Sequence, residues 1–130
     1  MKQREERLRK IINALYKEDA IFLTLTYRDE VNTREAADDI KRYIQLLEKD
    51  REDLSPLKYM YISEREKVLN KIKYCHYLVI NYPDRRKAEE LWNKGLAASM
   101  NIEDVEKLAC YLMTVTERAK TIYTISRNFV

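Results

Sequence analysis

Apolar residues at Leu8, Ile11, Ile12 and Leu15 recur at the spacing of one helical face, which predicts an amphipathic helix over about residues 2–17. From Ala20 to Arg28 the period shortens to two. Phe22, Thr24 and Thr26 then point one way and Ile21, Leu23 and Leu25 the other, the pattern of a β-strand. Helical spacing returns at Ala36, Ile40, Tyr43, Ile44 and Leu47, behind Asn32 or Thr33 as the cap. Two more strands are predicted: "LKYMYISE", Leu57 to Glu64, after Pro56, and "KIKYCHYLVIN", Lys71 to Asn81, after a charged turn. A short helix, "RRKAEELWNK", follows Asp84 and is expected to stop at Gly95, the only glycine, acting as a left-handed C-cap. Asn101 is expected to cap "IEDVEKLACYLMTVTER", whose first turn is acidic as the helix dipole prefers, and "TIYTISRNFV" reads as a closing strand. The order α-β-α-β-β-α-α-β predicts an α+β fold, an antiparallel sheet of about four to five strands with helices packed on it. With no linker, repeat or low-complexity tract, residues 1–130 read as one domain.

Composition narrows the classes. Hydrophobic residues at 45% and charged residues at 36% describe a folded chain rather than a disordered one. The net charge of +3 permits nucleic-acid binding without requiring it. Cys75 and Cys110 form no C-x-x-C pair and sit in apolar surroundings, so they are expected to be buried thiols of a reducing cytosol. No apolar run approaches the ~18 residues of a membrane span, and the start "MKQREERLRK" lacks the apolar core of a signal peptide. The expectation is a cytoplasmic protein with no membrane partner.

The candidate chemistry centres on His76, the only histidine, beside a Cys and two tyrosines on a strand. By itself it is either half of a metal site or a core residue. Tyr111 falls on the flank of the apolar stripe of the last helix, a place that suits either a nucleophile at a sheet edge or a side chain sealing the core. Lys71 and Lys73 lead into the His strand, Arg85 and Arg86 open the next helix, and Arg118, Lys120 and Arg127 lie near the end of the chain. Such residues neutralise phosphates, with Tyr59, Tyr61 or Tyr77 as stacking surfaces for unpaired bases, or they form ordinary solvated faces.

Five strings in order resemble the replication-initiator (Rep) proteins of small phages and rolling-circle plasmids, nucleases of the His-hydrophobic-His class. "FLTLTYRDE" resembles the family's first strand, "KYMYISEREK" the strand ending in its metal-binding Glu, and "ELWNKGL" a Trp-x-x-Gly segment. "LACYLMTV" is similar to the helix bearing the nucleophilic tyrosine, and "IYTISRNF" to the closing strand. The resemblance spans about Phe22 to Phe129. It implies a metal site of Glu64 and His76, with Tyr74 in place of the family's first histidine, holding Mg²⁺ or Mn²⁺. It also implies Tyr111 as the attacking group that leaves a phosphotyrosine link to DNA. The departures are the missing first histidine, Val115 where a second tyrosine often stands, and Arg118 in place of a lysine.

Two functions follow as expectations. One is a Rep-like protein that binds single-stranded or hairpin DNA and nicks and joins it in rolling-circle replication. The other is a catalytically inactive Rep-fold binding protein, a replication regulator or a phage-encoded inhibitor of a host nuclease. No Gly-rich phosphate loop is present, so unwinding would fall to a partner such as a host helicase.

Overall fold

The structure, a computed structural model, describes residues 2–51 and 56–127. Its elements run α1 (Lys2–Tyr16), β1 (Ile21–Thr26), α2 (Thr33–Asp50), β2 (Tyr59–Val68), β3 (Lys71–Ile80), α3 (Arg85–Leu91), β4 (Ala97–Asn101), α4 (Val105–Ala119) and β5 (Thr124–Ile125). The strands form one antiparallel sheet in the order β4-β1-β3-β2-β5. This is the expected α+β architecture.

Strand periodicity divides the core into two layers. On one face Phe22, Met60, Ile62, Tyr77 and Val79 pack under the apolar stripes of α1 and α4. On the other Leu23, Leu25, Leu78 and Ile80 meet the stripe of α2, Ala88 of α3, and Trp92. The α2 stripe is buried as its spacing predicts, with Asp39 added to it. Asn32 is its cap, accepting from Glu35 N while the Glu35 side chain accepts from Asn32 N, a reciprocal capping box.

Several boundaries differ from the sequence reading. The charged stretch after Glu64 continues β2 to Val68, and the turn is only Leu69–Asn70, both at positive φ (49° and 67°). The segment after Gly95 is an unanticipated edge strand, β4, which includes Asn101, and the helix cap is Asp104. Of the closing strand only Thr124–Ile125 pairs, and residues 128–130 lie outside the described residues. Cys75 is half-buried and Cys110 is exposed on the outer side of α4, against the expectation of two buried thiols.

Gly95 is not a helix cap either: α3 ends at Leu91, and no glycine has positive φ. Its role is close approach. A Cβ there would lie 2.2 Å from Thr26 O and 2.7 Å from Tyr27 Cα. Around that contact the segment after α3 clamps the end of β1: Trp92 Nε1 donates to Thr26 O at 2.8 Å, Thr26 N to Leu96 O at 2.9 Å, and Arg28 N to Lys94 O at 3.0 Å. The Trp-x-x-Gly string thus has a physical reason, a ring that bonds the strand end and a glycine that lets the backbone lie on it. Gly95→Ala is therefore expected to cost about 2 kcal/mol or more, because backbone rather than a flexible side chain must yield. A urea midpoint equal to wild type would show that the clamp has slack.

Candidate functional site

The pairing of β2 with β3 decides what the site residues can do together. Ser63 stands opposite His76 and Glu64 opposite Cys75, while β1 places Leu25 opposite His76. Directly opposed residues share a face and neighbours along a strand do not. Glu64 therefore lies beneath α4 with Cys75 and Tyr77, and His76 beneath α2 and Trp92 with Ser63 and Leu25. The expected metal pair of Glu64 and His76 is corrected: the two side chains lie on opposite faces of the sheet.

His76 is fully buried, at 0% exposure, and both ring nitrogens are engaged. Nδ1 lies 2.7 Å from Ser63 Oγ and Nε2 2.9 Å from Tyr27 Oη. Tyr27 and Trp92 present ring edges to it with centroids at 5.6 and 5.9 Å. Burial pulls its pKa down to about 4, so the ring is neutral. Tyr27 is held protonated by burial and by the buried Asp39 carboxylate that it bonds. One proton arrangement satisfies the chain: Ser63 donates to Nδ1, Nε2 donates to Tyr27, and Tyr27 donates to Asp39. Tyr74, the expected stand-in ligand, is buried on the same face with its hydroxyl bonded to Thr33 at the start of α2. His76 is a satisfied core histidine here.

On the α4 face Glu64 is 5% exposed and bonded through both oxygens. Arg118 forks onto it, Nε at 2.5 Å from Oε2 and Nη2 at 2.8 Å from Oε1, and Tyr77 Oη donates to Oε1 at 2.9 Å. The Arg118 hydrogen bonds, helped by Tyr77, hold the carboxyl below the usual range against the opposing effect of burial. Burial pushes the Cys75 thiol up, which makes it a poor thiolate ligand. Tyr111 is 46% exposed, with its ring edge-on to Phe22 at 6.3 Å and to Tyr77 at 6.0 Å. Seven residues separate Tyr111 from Arg118, so both lie along one stripe of α4.

A divalent ion does not fit this arrangement. Both Glu64 oxygens are taken by a cation and a phenol, the imidazole is on the other face with no free nitrogen, and Tyr74 is tied to α2. Among the described residues no group of three or more His, Cys, Asp or Glu side chains gathers as a ligand set. The sequence reading named Glu64 and Arg118 but not their pairing, because they stand 54 positions apart. Ser63, Tyr27 and Asp39, which fix His76, carried no local signal.

The seven basic candidates do not form one surface. Lys71 and Lys73 line a cleft of about 690 Å³ at the hairpin end, floored by Glu64, Cys75 and Tyr77. Arg85 and Arg86 open α3 beyond the far end of β3, where Arg85 bonds Ser99 and Arg86 pairs with Glu90. Lys120 caps α4 in the left-handed conformation and Arg127 follows β5. Of the proposed stacking tyrosines, Tyr77 is buried, while Tyr59 and Tyr61 are partly exposed and stack on each other with centroids at 6.2 Å. A second cleft, about 400 Å³, lies between β4 and α4 beside Tyr111.

The state of His76 can be read directly. Its folded pKa, about 4, lies below the reference of 6.5, so between those values the unfolded chain binds the extra proton. The stabilisation is complete above pH 6.5 and is lost as pH falls toward 4, on the order of 3 kcal/mol in all. The single imidazole in an NMR spectrum is expected to stay neutral to about pH 4 and to show no selective broadening by Mn²⁺. Titration near 6.5, or Mn²⁺ broadening, would reopen the metal reading.

No curated protein and no solved structure matches the chain. Among the described residues no helix is long and apolar enough to cross a membrane. Residues 20–120 do match a family, over a span from the start of β1 to the cap of α4 that carries both hairpin faces, Trp92, Gly95, Tyr111 and Arg118. The chain belongs to the ORF2-type family of replication-associated proteins.

Proposed function

We propose that this replication-associated protein binds single-stranded or hairpin DNA along the α4 side of the sheet and does so without metal-dependent nicking of its own. The observation that carries the reading is the Arg118 fork on Glu64. Metal-assisted phosphoryl chemistry needs a cation held where it can polarise the scissile phosphate. Here the buried carboxylate already has a permanent cation partner, and removing that partner would leave a buried charge unpaired.

Binding is supported by what remains exposed. Lys71 and Lys73 form no ion pair among the described residues and border the hairpin cleft. Arg118 is half-exposed at 53%, and Tyr111 offers ring surface on the same helix stripe. Cutting and unwinding then belong to partners, such as a host nuclease or helicase.

Affinity for a single-stranded oligonucleotide is expected to fall steeply with salt. Lys71→Gln and Lys73→Gln should each lower the slope of log K against log salt by about 0.7. With Mg²⁺ or Mn²⁺ present, wild type and Tyr111→Phe should both give no covalent adduct with DNA. Tyr74→His should give none either, since position 74 shares the face of His76 but not of Glu64. A wild-type adduct that Tyr111→Phe abolishes would sink the non-nicking half of the proposal. Binding that ignores salt would sink the DNA half and favour a protein partner.

A further inference from the structure

The cleft between β4 and the first half of α4 has no part in the reading above. Its apolar lining comes from Phe22, Met100, Ile102, Leu108 and Tyr111, and its volume is about 400 Å³, toward the small end of ligand sites. Two of these large side chains stand half out of the core, Met100 at 54% and Tyr111 at 46% exposure, so the lining faces outward. Lys107, one turn before Tyr111, sits on the rim and its ammonium forms no ion pair among the described residues. Asn101 lines the β4 side and brings both a donor and an acceptor.

Along α4 the spacing of these groups is regular. Lys107, Tyr111 and Arg118 are four and seven residues apart, which puts them within about 40° on the helix, over a rise of roughly 16 Å. Cation, aromatic ring and cation in line is the arrangement that tracks a single strand, with phosphates on the charges and a base on the ring. Acidic groups fix the polarity. Glu103 and Asp104 also border the cleft, and Asp104 accepts from Lys107 N at 3.1 Å as the helix cap. Their charge repels a phosphate from that mouth, so the backbone belongs on the Lys107–Arg118 line and the base points toward β4.

We propose that this cleft takes one unpaired base of the bound strand, stacked on Tyr111 against Met100, with Lys107 on the adjoining phosphate and Asn101 at the base edge. The inference rests on the DNA-binding reading and names the element of the substrate that this part of the site receives. Tyr111 then acts through its ring rather than its hydroxyl.

The test uses the full chain and two probes of equal length, an oligo-dT and a matching strand with abasic sites, which keeps the phosphates and deletes the bases. The expected result is that wild type binds oligo-dT about tenfold tighter than the abasic strand, the size of one base stack. Tyr111→Phe should keep that preference. Tyr111→Ala should remove it while leaving abasic-strand affinity within about twofold, and a 2-aminopurine placed in the strand should be quenched by wild type and not by Tyr111→Ala. Equal affinity of wild type for both probes would overturn the cleft proposal and leave the DNA reading standing. An equal loss on both probes in Tyr111→Ala would also overturn it, as a loss of fold rather than of stacking. Binding to neither probe at low salt would bring down the DNA reading together with the cleft.

Discussion

The two-residue turn at Leu69–Asn70 governs the rest of this structure. Both residues have positive φ, the geometry whose twist joins neighbouring antiparallel strands without splaying them. A loop of two residues fixes the register, so Val68 pairs with Lys71 and, further in, Ser63 with His76 and Glu64 with Cys75. Because side chains alternate with period two, that register assigns every residue of both strands to a face. β3 is the middle strand, and β1 adopts the same assignment on its other side. Asn70 suits the left-handed conformation, whereas Leu69, 92% exposed, gains nothing from it in contacts. The long β2–β3 pairing holds it there.

Each face then meets a different electrostatic requirement. Under α2, the imidazole is buried without a counter-charge, so neutrality and two hydrogen bonds satisfy it, and Asp39 sets the direction of the chain of donors through Tyr27. Under α4, Glu64 is ionised and buried, which is costly unless a cation is within reach. Arg118 meets that need at modest desolvation cost because half of it stays in water, and its planar fork gives two bonds from one side chain. The fork also pins the last turn of α4 to β2. Tyr111 and Lys107 lie further back on the same helix, so the ion pair that closes one site also fixes the geometry of the exposed stripe.

Much of this was legible in the sequence where one physical signal dominated. The α2 stripe, its cap and the strand alternation of β1 read correctly because period and burial agree there. β4 did not read as a strand because "AASMN" has little strand preference and only its pairing with β1 makes it one. Missing it hid the cleft beside Tyr111, whose other wall is α4. Gly95 was assigned to a helix cap by position alone, and the contact that requires it, with Thr26 O, joins residues far apart in the chain. The error at Glu64 and His76 came from the same source. Which face each strand presents was clear, but the register between them depends on loop length, and the charged residues that form the end of the hairpin looked like its turn.

That dependence bears on what the family membership means for this chain. Function resides in the arrangement of side chains rather than in the fold that carries them. A three-ligand shell on the α2 face would need a carboxylate beside His76, and the position opposite His76 is Ser63. On the α4 face it would need imidazoles at positions 75 and 77, which hold a raised-pKa thiol and a phenol bonded to Glu64. Replacing Tyr74 alone completes neither set. A single substitution changes one ligand, but only a change in hairpin length by one residue would carry Glu64 across to the side of His76, and it would reverse every apolar side chain of β2 with it. The core of Met60 and Ile62 on one face and Tyr59 and Tyr61 on the other resists that reversal, so packing, more than the identity of any one ligand, holds the carboxylate with Arg118.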